Sequence, residues 1–271
     1  MCHNVILYSY NGRVPEALFE DLVWSAQANG DGFAIFYLPT KGEGTLVRTL
    51  SLRRYLKHLL DASEVSLRTL HVHLRLASSG EVSEENVHLW AYEDMIVSHN
   101  GYVGKYLRAS LNWRASLRNW EEFDPYEKSN PYKSAYEFSP YERSDSYEFF
   151  LNRKEELYDA LRSLDPRSAK AIANSDRLHG VLLIQSMRDG SFIGVGIGRD
   201  IFVYRTKEYL VASNTPVGGL GNPSLYEMIA VDGRGLMIKE KSERSFWQRS
   251  EWSWRGLTEE WPWGRWAYQY P

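Results

Sequence analysis

The sequence of 271 residues contains a single cysteine, Cys2, directly after the initiator methionine. One cysteine excludes a disulfide framework within the chain and a metal site built from several thiolates, and it is typical of a reducing cytoplasm. The sequence therefore raises the question of why this residue stands at position 2. If Met1 is removed, Cys2 becomes the first residue, and one residue then carries both a thiol and a free amino group.

The sequence also lacks a long apolar run and a strong excess of charge. No stretch approaches the roughly 18 apolar residues of a membrane-spanning helix, and the N-terminus shows no targeting signal. The formal net charge is only -3, which gives no electrostatic reason to expect a nucleic-acid partner. We expect a soluble, cytoplasmic protein that binds neither nucleic acid nor a membrane.

What is present is a large apolar fraction, 43% of the residues, arranged in two strand-rich blocks. The first block contains two helical patterns, at 15–30 and 51–63, among strand patterns at 4–10, 32–39, 67–78 and 87–101. The second block, from 179 to 232, is a series of short strand runs with Gly or Asp turns, at the spacing of a meander. Helices separated from antiparallel strands indicate an α+β layered fold more than a doubly wound parallel sheet.

Two segments differ in composition from these blocks. At about 120–144, Tyr recurs beside charged residues, Pro and Ser, which is typical of a surface loop. This segment is either a solvated insertion without a role or a lid or docking loop, because dense aromatic residues commonly become buried. The tail 241–271 holds six of the ten tryptophans, which either cover an edge of the same chain or anchor a partner.

Several residues of the first block could support chemistry. His71, His73 and Arg75 share one strand face, because side chains alternate with a period of two. Arg75 suits a carboxylate, and beside it a metal ion on the two histidines is disfavoured. The Asn100-Gly101 pair is ordinarily a tight turn, but it can also present an amide and a backbone N–H to one developing oxyanion.

Taken in order, Cys2, NGDGFAI, HLRLASSG, ENVH and HNG resemble the motifs of the class II glutamine amidotransferases. That family has an N-terminal Cys, a Gly-rich turn before a strand, H-x-R-x-A-[ST]-x-G, N-x-H and H-N-G. The resemblance is strong over 1–104 and thins to the strand pattern over 178–240. It implies an N-terminal-nucleophile hydrolase fold, a four-layer αββα sandwich of two antiparallel sheets, over 1–240 with the Tyr-rich segment as an insertion.

The resemblance also implies the roles of individual residues. After Met1 removal, Cys2 would attack the side-chain amide of glutamine, with its own amino group as the base. Asn100 and Gly101 would hold the oxyanion, without a metal or cofactor. The substrate itself would be bound by residues of the H-x-R-x-A-[ST]-x-G motif: Arg75, which would bind the α-carboxylate, with His73 and Ser78.

The family binds the α-amino group of glutamine with an Asp in a Ser-Asp-Thr or Ser-Asp-Ser motif that opens a helix. Two candidates compete here. Asp145 precedes an amphipathic helical pattern at a suitable distance from the strand at 179–187, whereas Asp176 lies too close to that strand to leave room for the helix. We therefore prefer Asp145.

The fate of the ammonia is open, because the sequence shows no second domain to use it. One hypothesis is delivery to a separate ammonia-accepting enzyme subunit. A second is a self-contained hydrolase of a γ-glutamyl compound, since His3, Ser79 and Leu89 depart from the family motifs around the pocket. A third is a catalytically silent module that binds through its Tyr-rich and Trp-rich segments, which retention of Met1 would favour.

Overall fold

The computed structural model describes residues 2–77, 80–106 and 143–241. It contains helices and strands in the order β1(His3–Ser9), α1(Glu16–Ala28), β2(Phe33–Pro39), β3(Thr45–Thr49), α2(Leu52–Glu64), β4(Leu67–Leu74), β5(Trp90–Tyr92), β6(Met95–Val103), α3(Asp145–Arg162), α4(Pro166–Ser175), β7(Leu178–Ser186), β8(Phe192–Ile197), β9(Ile201–Arg205), β10(Tyr209–Ser213), β11(Ser224–Tyr226), β12(Met228–Val231) and β13(Met237–Lys241). None of the helices in these ranges is long and apolar enough to cross a membrane.

The strands form two antiparallel sheets. The seven-stranded sheet has the order β11-β9-β10-β1-β4-β2-β3, and the six-stranded sheet has the order β13-β12-β8-β7-β6-β5. Every pairing between described strands is antiparallel. The α+β class and the two antiparallel sheets predicted from the sequence are confirmed.

One helical pair covers the outer face of the seven-stranded sheet. Helix α2 begins after Ser51, whose side chain accepts a hydrogen bond from the Arg54 amide, as is usual for an N-cap. Apolar residues at helical spacing point from both helices to the sheet. The resulting cluster contains Leu18, Leu22 and Ala26 of α1, Tyr55, Leu59 and Ala62 of α2, and strand residues such as Val5, Ile35 and Val72.

The other helical pair covers the six-stranded sheet. Ser144 caps α3 by accepting a hydrogen bond from the Tyr147 amide, and Asp165 caps α4, which has Pro166 in its first turn. Phe149, Phe150 and Leu157 of α3 and Ala169 and Ala173 of α4 pack on strand residues including Met95, Leu182 and Val195. The layers therefore follow the predicted order: helices, sheet, sheet, helices.

The interior between the sheets is apolar on either side of a polar middle. One apolar cluster includes Ile6 and Leu183, and the other includes Phe36 and Leu89. Fully buried polar side chains complete this layer: His71 Nε2 lies 2.7 Å from Ser98 Oγ, and Ser98 Oγ donates to Asn4 Oδ1 at 2.9 Å. These hydrogen bonds join the two sheets and offset part of the desolvation of the three groups.

The structure corrects some details of the predicted elements. The predicted strand 87–101 is two strands, β5 and β6, separated by a turn in which Glu93 has a positive φ of 51°. The second block is not a single meander, because β9 to β11 pair within the seven-stranded sheet while β7, β8, β12 and β13 build the other. The sequence interpretation also missed β3, β11, β13 and α4. Residues 107–142 and 242–271, nearly all of the Tyr-rich segment and the Trp-rich tail, lie outside the described residues.

Candidate active site

Cys2 is held at the junction of the two sheets. It directly precedes β1, the middle strand of the seven-stranded sheet. Its carbonyl oxygen accepts hydrogen bonds from Asn100 Nδ2 of β6 at 2.8 Å and from Asn214 Nδ2, just after β10, at 3.0 Å. Because these amides come from different sheets, the position of Cys2 depends on the assembled sandwich.

The thiol of Cys2 lies against one residue of the loop that follows β4. Sγ is 3.4 Å from Leu76 O, and the Leu76 amide donates to Sγ at 3.3 Å. Burial raises the pKa of the Cys2 thiol, since a buried thiolate is poorly solvated. The thiol is therefore predominantly protonated at neutral pH, and its use as a nucleophile requires a base.

A pocket opens beside this thiol. It is lined by Cys2, Arg75, Leu76, Ala77, His88, His99, Gly101, Ser144, Asp145 and Ser146. These residues come from the position just before β1, the loop after β4, the segment before β5, strand β6 and the N-terminus of α3. The fold thus brings together residues that are up to 144 positions apart, from Cys2 to Ser146.

Arg75 is fixed within the pocket wall. It is only 2% exposed, and its guanidinium donates to the carbonyl oxygens of Glu81 at 3.1 Å and Gly80 at 3.3 Å. The Gly-rich turn holds its backbone, because the Arg75 amide donates to Gly32 O at 2.8 Å and the Asp31 amide donates to Arg75 O at 3.2 Å. A buried guanidinium with a fixed orientation is suited to binding an anion such as a carboxylate.

The two candidate aspartates lie in different environments. Asp145 lines the pocket at the first position of α3, and its Oδ2 accepts a hydrogen bond from the Val103 amide at 2.6 Å. Asp176, by contrast, is not among the lining residues. It receives hydrogen bonds from Arg153 and Lys105, at 2.8 and 2.7 Å to Oδ1. Burial alone would raise the pKa of Asp176, but these cations hold it well below its usual range.

Two lining histidines are neutral groups with defined partners. His99 Nδ1 lies 2.9 Å from Ser146 Oγ, and His99 Nε2 lies 3.3 Å from His179 O. Burial lowers the pKa of His99 to about 4, so the ring is neutral at neutral pH. Because the carbonyl of His179 can only accept, Nε2 carries the proton, and Nδ1 accepts from the Ser146 hydroxyl. His88 Nδ1 accepts from the His99 amide at 3.3 Å, and burial lowers the His88 pKa as well.

His73 lies one layer behind the pocket. It is fully buried, and its ring stacks on that of His88 with a centroid distance of 3.9 Å. Burial, with the nearby His71 and Arg75, holds the pKa of His73 well below its usual value. Within the described ranges, no group of three or more His, Cys, Asp and Glu side chains is arranged to hold a metal ion. Through its stacking contact, His73 supports the lining residue His88 from behind.

Gly101 requires the conformational freedom of glycine. Its φ is 151°, and a Cβ at this position would lie 1.8 Å from His179 O of the neighbouring strand. Its cross-strand partner is Gly180, with a φ of 130° and the same conflict with Asn100 O. The two glycines let β6 and β7 approach closely beside the pocket.

The structure brings most of the predicted site residues together. Cys2, Arg75, Gly101 and Asp145 line one pocket, and Asn100 contacts the Cys2 backbone. Ser78 lies outside the described residues. Sequence reasoning did not select His88, His99, Ser144, Ser146 and Asn214 as site residues. The first four lie within or beside the motifs N-x-H, H-N-G and Ser-Asp-Ser, whereas no sequence signal marks Asn214.

Comparison with known proteins supports the fold. No family model matches this sequence, and no curated protein matches it. The structure is similar to glutamine phosphoribosylpyrophosphate amidotransferase from B. subtilis, solved with ADP and GMP, with a TM-score of 0.51 and 13% identity over 90% of this chain and 50% of that chain. A glutamine aminotransferase class-II domain protein from silicibacter pomeroyi matches with a TM-score of 0.46 and 14% identity, over 90% of this chain and 99% of that one.

These similarities concern the fold, because the sequence identities are low. The chain spans about half of the B. subtilis enzyme, 50% of its length. The fold that the chain shares with the B. subtilis structure is the fold that the sequence motifs predict. The chain has the fold of a class II glutamine amidotransferase domain, a sandwich of two antiparallel sheets between helical layers.

Proposed function

We propose that this protein hydrolyses the side-chain amide of glutamine to glutamate and ammonia, with Cys2 as the nucleophile. The observation that carries this proposal is the shared pocket of Cys2, Arg75, Gly101 and Asp145. Each of these residues was selected from the sequence for a different role in one reaction. A pocket that collects all four supports that reaction more strongly than any one of the motifs.

The base in this proposal is the α-amino group of Cys2, which is freed when Met1 is removed. The hydrogen bonds of Sγ are to backbone atoms of Leu76, so they supply no proton acceptor that can titrate near neutral pH. An α-amino group has a pKa of about 7.7 to 8.0 and can accept the thiol proton directly or through a water molecule. The raised pKa of the thiol makes such a base necessary.

Asn100 and Gly101 would stabilise the tetrahedral oxyanion. An Asn side chain has two N–H donors, and one donor of Asn100 is used by the carbonyl of Cys2. The second donor and the Gly101 amide would hold the oxyanion. Donors that are already fixed before the reaction stabilise developing charge efficiently.

The two ends of the substrate backbone would contact opposite charges. The Arg75 guanidinium would bind the α-carboxylate in a two-point interaction, and the Asp145 carboxylate would bind the α-ammonium group. The position of Asp145 in the pocket wall favours it over Asp176, which is engaged with Arg153 and Lys105. These contacts would select an α-amino acid and orient its side chain toward Cys2.

The reaction then proceeds in two balanced steps. The thiolate of Cys2 forms a C–S bond with the amide carbon, and the α-amino group holds the thiol proton. When the tetrahedral species collapses, the C–N bond breaks and the nitrogen takes up that proton, so that ammonia leaves and a thioester remains. Water then adds to the thioester, the C–S bond breaks, and glutamate and the free thiol are released.

We propose further that the ammonia is delivered to a separate enzyme subunit. The name amidotransferase of the B. subtilis structure implies transfer of the amide nitrogen to an acceptor, and a partner subunit would provide such an acceptor for the ammonia of this protein. The alternative is a self-contained enzyme for a γ-glutamyl compound. Both versions use the same thioester chemistry at Cys2.

The test is the release of glutamate and ammonia from glutamine by the purified protein, compared with Cys2→Ala, Asp145→Asn and Asp176→Asn. We expect equal amounts of both products from the wild type, none from Cys2→Ala, and a much larger rise in KM for Asp145→Asn than for Asp176→Asn. A panel of γ-glutamyl amides distinguishes the alternative substrate class. Wild-type levels of hydrolysis by Cys2→Ala would overturn the proposal.

A further inference from the structure

The N-terminus of α3 is joined to strand β6 at two points on either side of Asn100 and Gly101. On one side, the Val103 amide donates to Asp145 Oδ2 at 2.6 Å. On the other side, the Ser146 hydroxyl contacts His99 Nδ1 at 2.9 Å. The two joints thus bracket the proposed oxyanion donors, and both end on consecutive residues of the helix that carries the proposed substrate ligand Asp145.

His99 is well suited to such a joint because both of its ring nitrogens and its backbone amide have partners outside β6. Nδ1 faces α3, Nε2 faces His179 O of β7, and the backbone amide donates to His88 Nδ1. The ring is 1% exposed. In its neutral form, the ring accepts at Nδ1 and donates at Nε2, so a single tautomer satisfies both contacts.

We infer that His99 and Ser146 form a positioning pair that sets the distance between the oxyanion donors and the α-amino ligand of the substrate. The inference rests on the proposed function, in which Asn100 and Gly101 are the oxyanion donors and Asp145 is the ligand of the α-amino group. Neither His99 nor Ser146 needs to contact the reacting atoms. They act through their sequence neighbours, because each is adjacent to a residue with a proposed role.

The chain offers a matched control for this pair. Ser98 is also a buried serine, and its Oγ lies 2.7 Å from Nε2 of a buried histidine, His71. Ser98 is next to His99 on β6, but its contacts are to His71 and Asn4 of the other sheet. Ser98→Ala therefore removes a chemically similar serine–histidine hydrogen bond from the same strand, together with the bond to Asn4, and leaves the contacts of α3 in place.

The first readout is kinetic. Ser146→Ala is expected to lower kcat/KM for glutamine by about three- to tenfold, the effect of losing one net hydrogen bond. The loss is expected mainly in kcat, because the spacing matters most when the oxyanion and the bound amino group are held at once. Ser146→Thr keeps the hydroxyl and should restore most of the activity, while Ser98→Ala should keep the wild-type kinetics.

The second readout does not depend on activity. Amide hydrogen exchange at Tyr147 and Glu148, both hydrogen-bonded to Ser144 in the first turn of α3, should be faster in Ser146→Ala and unchanged in Ser98→Ala. If the wild type proves inactive on glutamine, the proposed function fails, and this exchange measurement still decides the existence of the joint. Wild-type kinetics in Ser146→Ala, or unchanged exchange in the first turn of α3, would overturn the inference.

Discussion

At the scale of single residues, the pocket depends on groups whose directions are fixed before any substrate binds. Arg75 illustrates this, since its guanidinium is buried and donates to Gly80 O and Glu81 O. A lysine at this position would keep the charge but lose the planar arrangement of donors. The positive charge alone would then have to hold the carboxylate.

We predict that Arg75→Lys raises KM for glutamine by about tenfold or more, because the two-point contact with the α-carboxylate is replaced by a single point charge. The measurement is steady-state kinetics of glutamate release. Arg53→Lys, at an exposed position of α2, is the matched control and should not change KM. An unchanged KM in Arg75→Lys would show that Arg75 does not bind the substrate carboxylate.

At the scale of elements, the close approach of β6 and β7 requires glycine on both strands. Gly101 has a proposed chemical role and its cross-strand partner Gly180 has none. A substitution at Gly180 therefore tests the packing of the strands without removing a proposed catalytic group. A Cβ on Gly180 would lie 2.0 Å from Asn100 O, at a backbone φ of 130°.

We predict that Gly180→Ala lowers the free energy of unfolding by about 2 kcal/mol or more, because it combines a steric conflict with an unfavourable φ. Urea unfolding measures this difference. Gly30→Ala is the control, since a Cβ at Gly30 meets nothing within 4 Å, and its effect should stay within about 1 kcal/mol. Equal unfolding midpoints for the two variants would contradict the close packing of β6 and β7.

At the scale of the whole molecule, the sandwich buries neutral histidines in and beside the layer between its sheets. The pKa of His71 is lowered by burial to about 3 and that of His99 to about 4, and those of His73 and His88 are lowered well below the usual value. In the unfolded chain, each would titrate at about 6.5. The unfolded state therefore binds more protons than the native state in the range between these values.

We predict that the protein loses stability as the pH falls from about 6.5 toward 4. Because the pKa values of these rings are lowered in the native state, the neutral rings contribute their full stability above the unfolded pKa. Below that pKa the unfolded chain takes up protons, and the contribution decreases. At pH 5.5, each buried histidine should lower the free energy of unfolding by about 1.4 kcal/mol relative to its value at high pH. Urea unfolding across this pH range measures how the free energy of unfolding changes with pH, which gives the number of protons taken up on unfolding. His73→Phe should lower that number by about one. A flat profile would contradict the neutral, buried state of these rings.

The sequence predicts those elements whose pattern of apolar residues is contained within the element itself. The strands β1, β2 and β4 and the helices α1 and α2 have strong periodic patterns, and the structure confirms them. Helix α4 was not predicted because its buried residues are small, such as Ala169 and Ala173, and give a weak apolar pattern. The division of the second block between two sheets was missed because strand pairing depends on long-range packing, which a local pattern does not encode.

The residues of the site also divide into those with a local sequence motif and those that depend on long-range packing. The order of the motifs led to the prediction of Cys2, Arg75, Gly101 and Asp145 as site residues, and the four line one pocket in the structure. Asn214 could not be found in this way, because its contact with Cys2 O joins residues 212 positions apart and depends on the pairing of β1 with β10.

Intact-protein mass spectrometry can show whether Cys2 is an N-terminal nucleophile in a pocket for glutamine, as we propose. The wild type and Cys2→Ala are compared before and after incubation with the glutamine analogue diazo-oxo-norleucine. If this proposal holds, the wild type lacks the mass of Met1 and gains one adduct, which is absent from Cys2→Ala. A wild-type protein that retains Met1 and gains no adduct would contradict it.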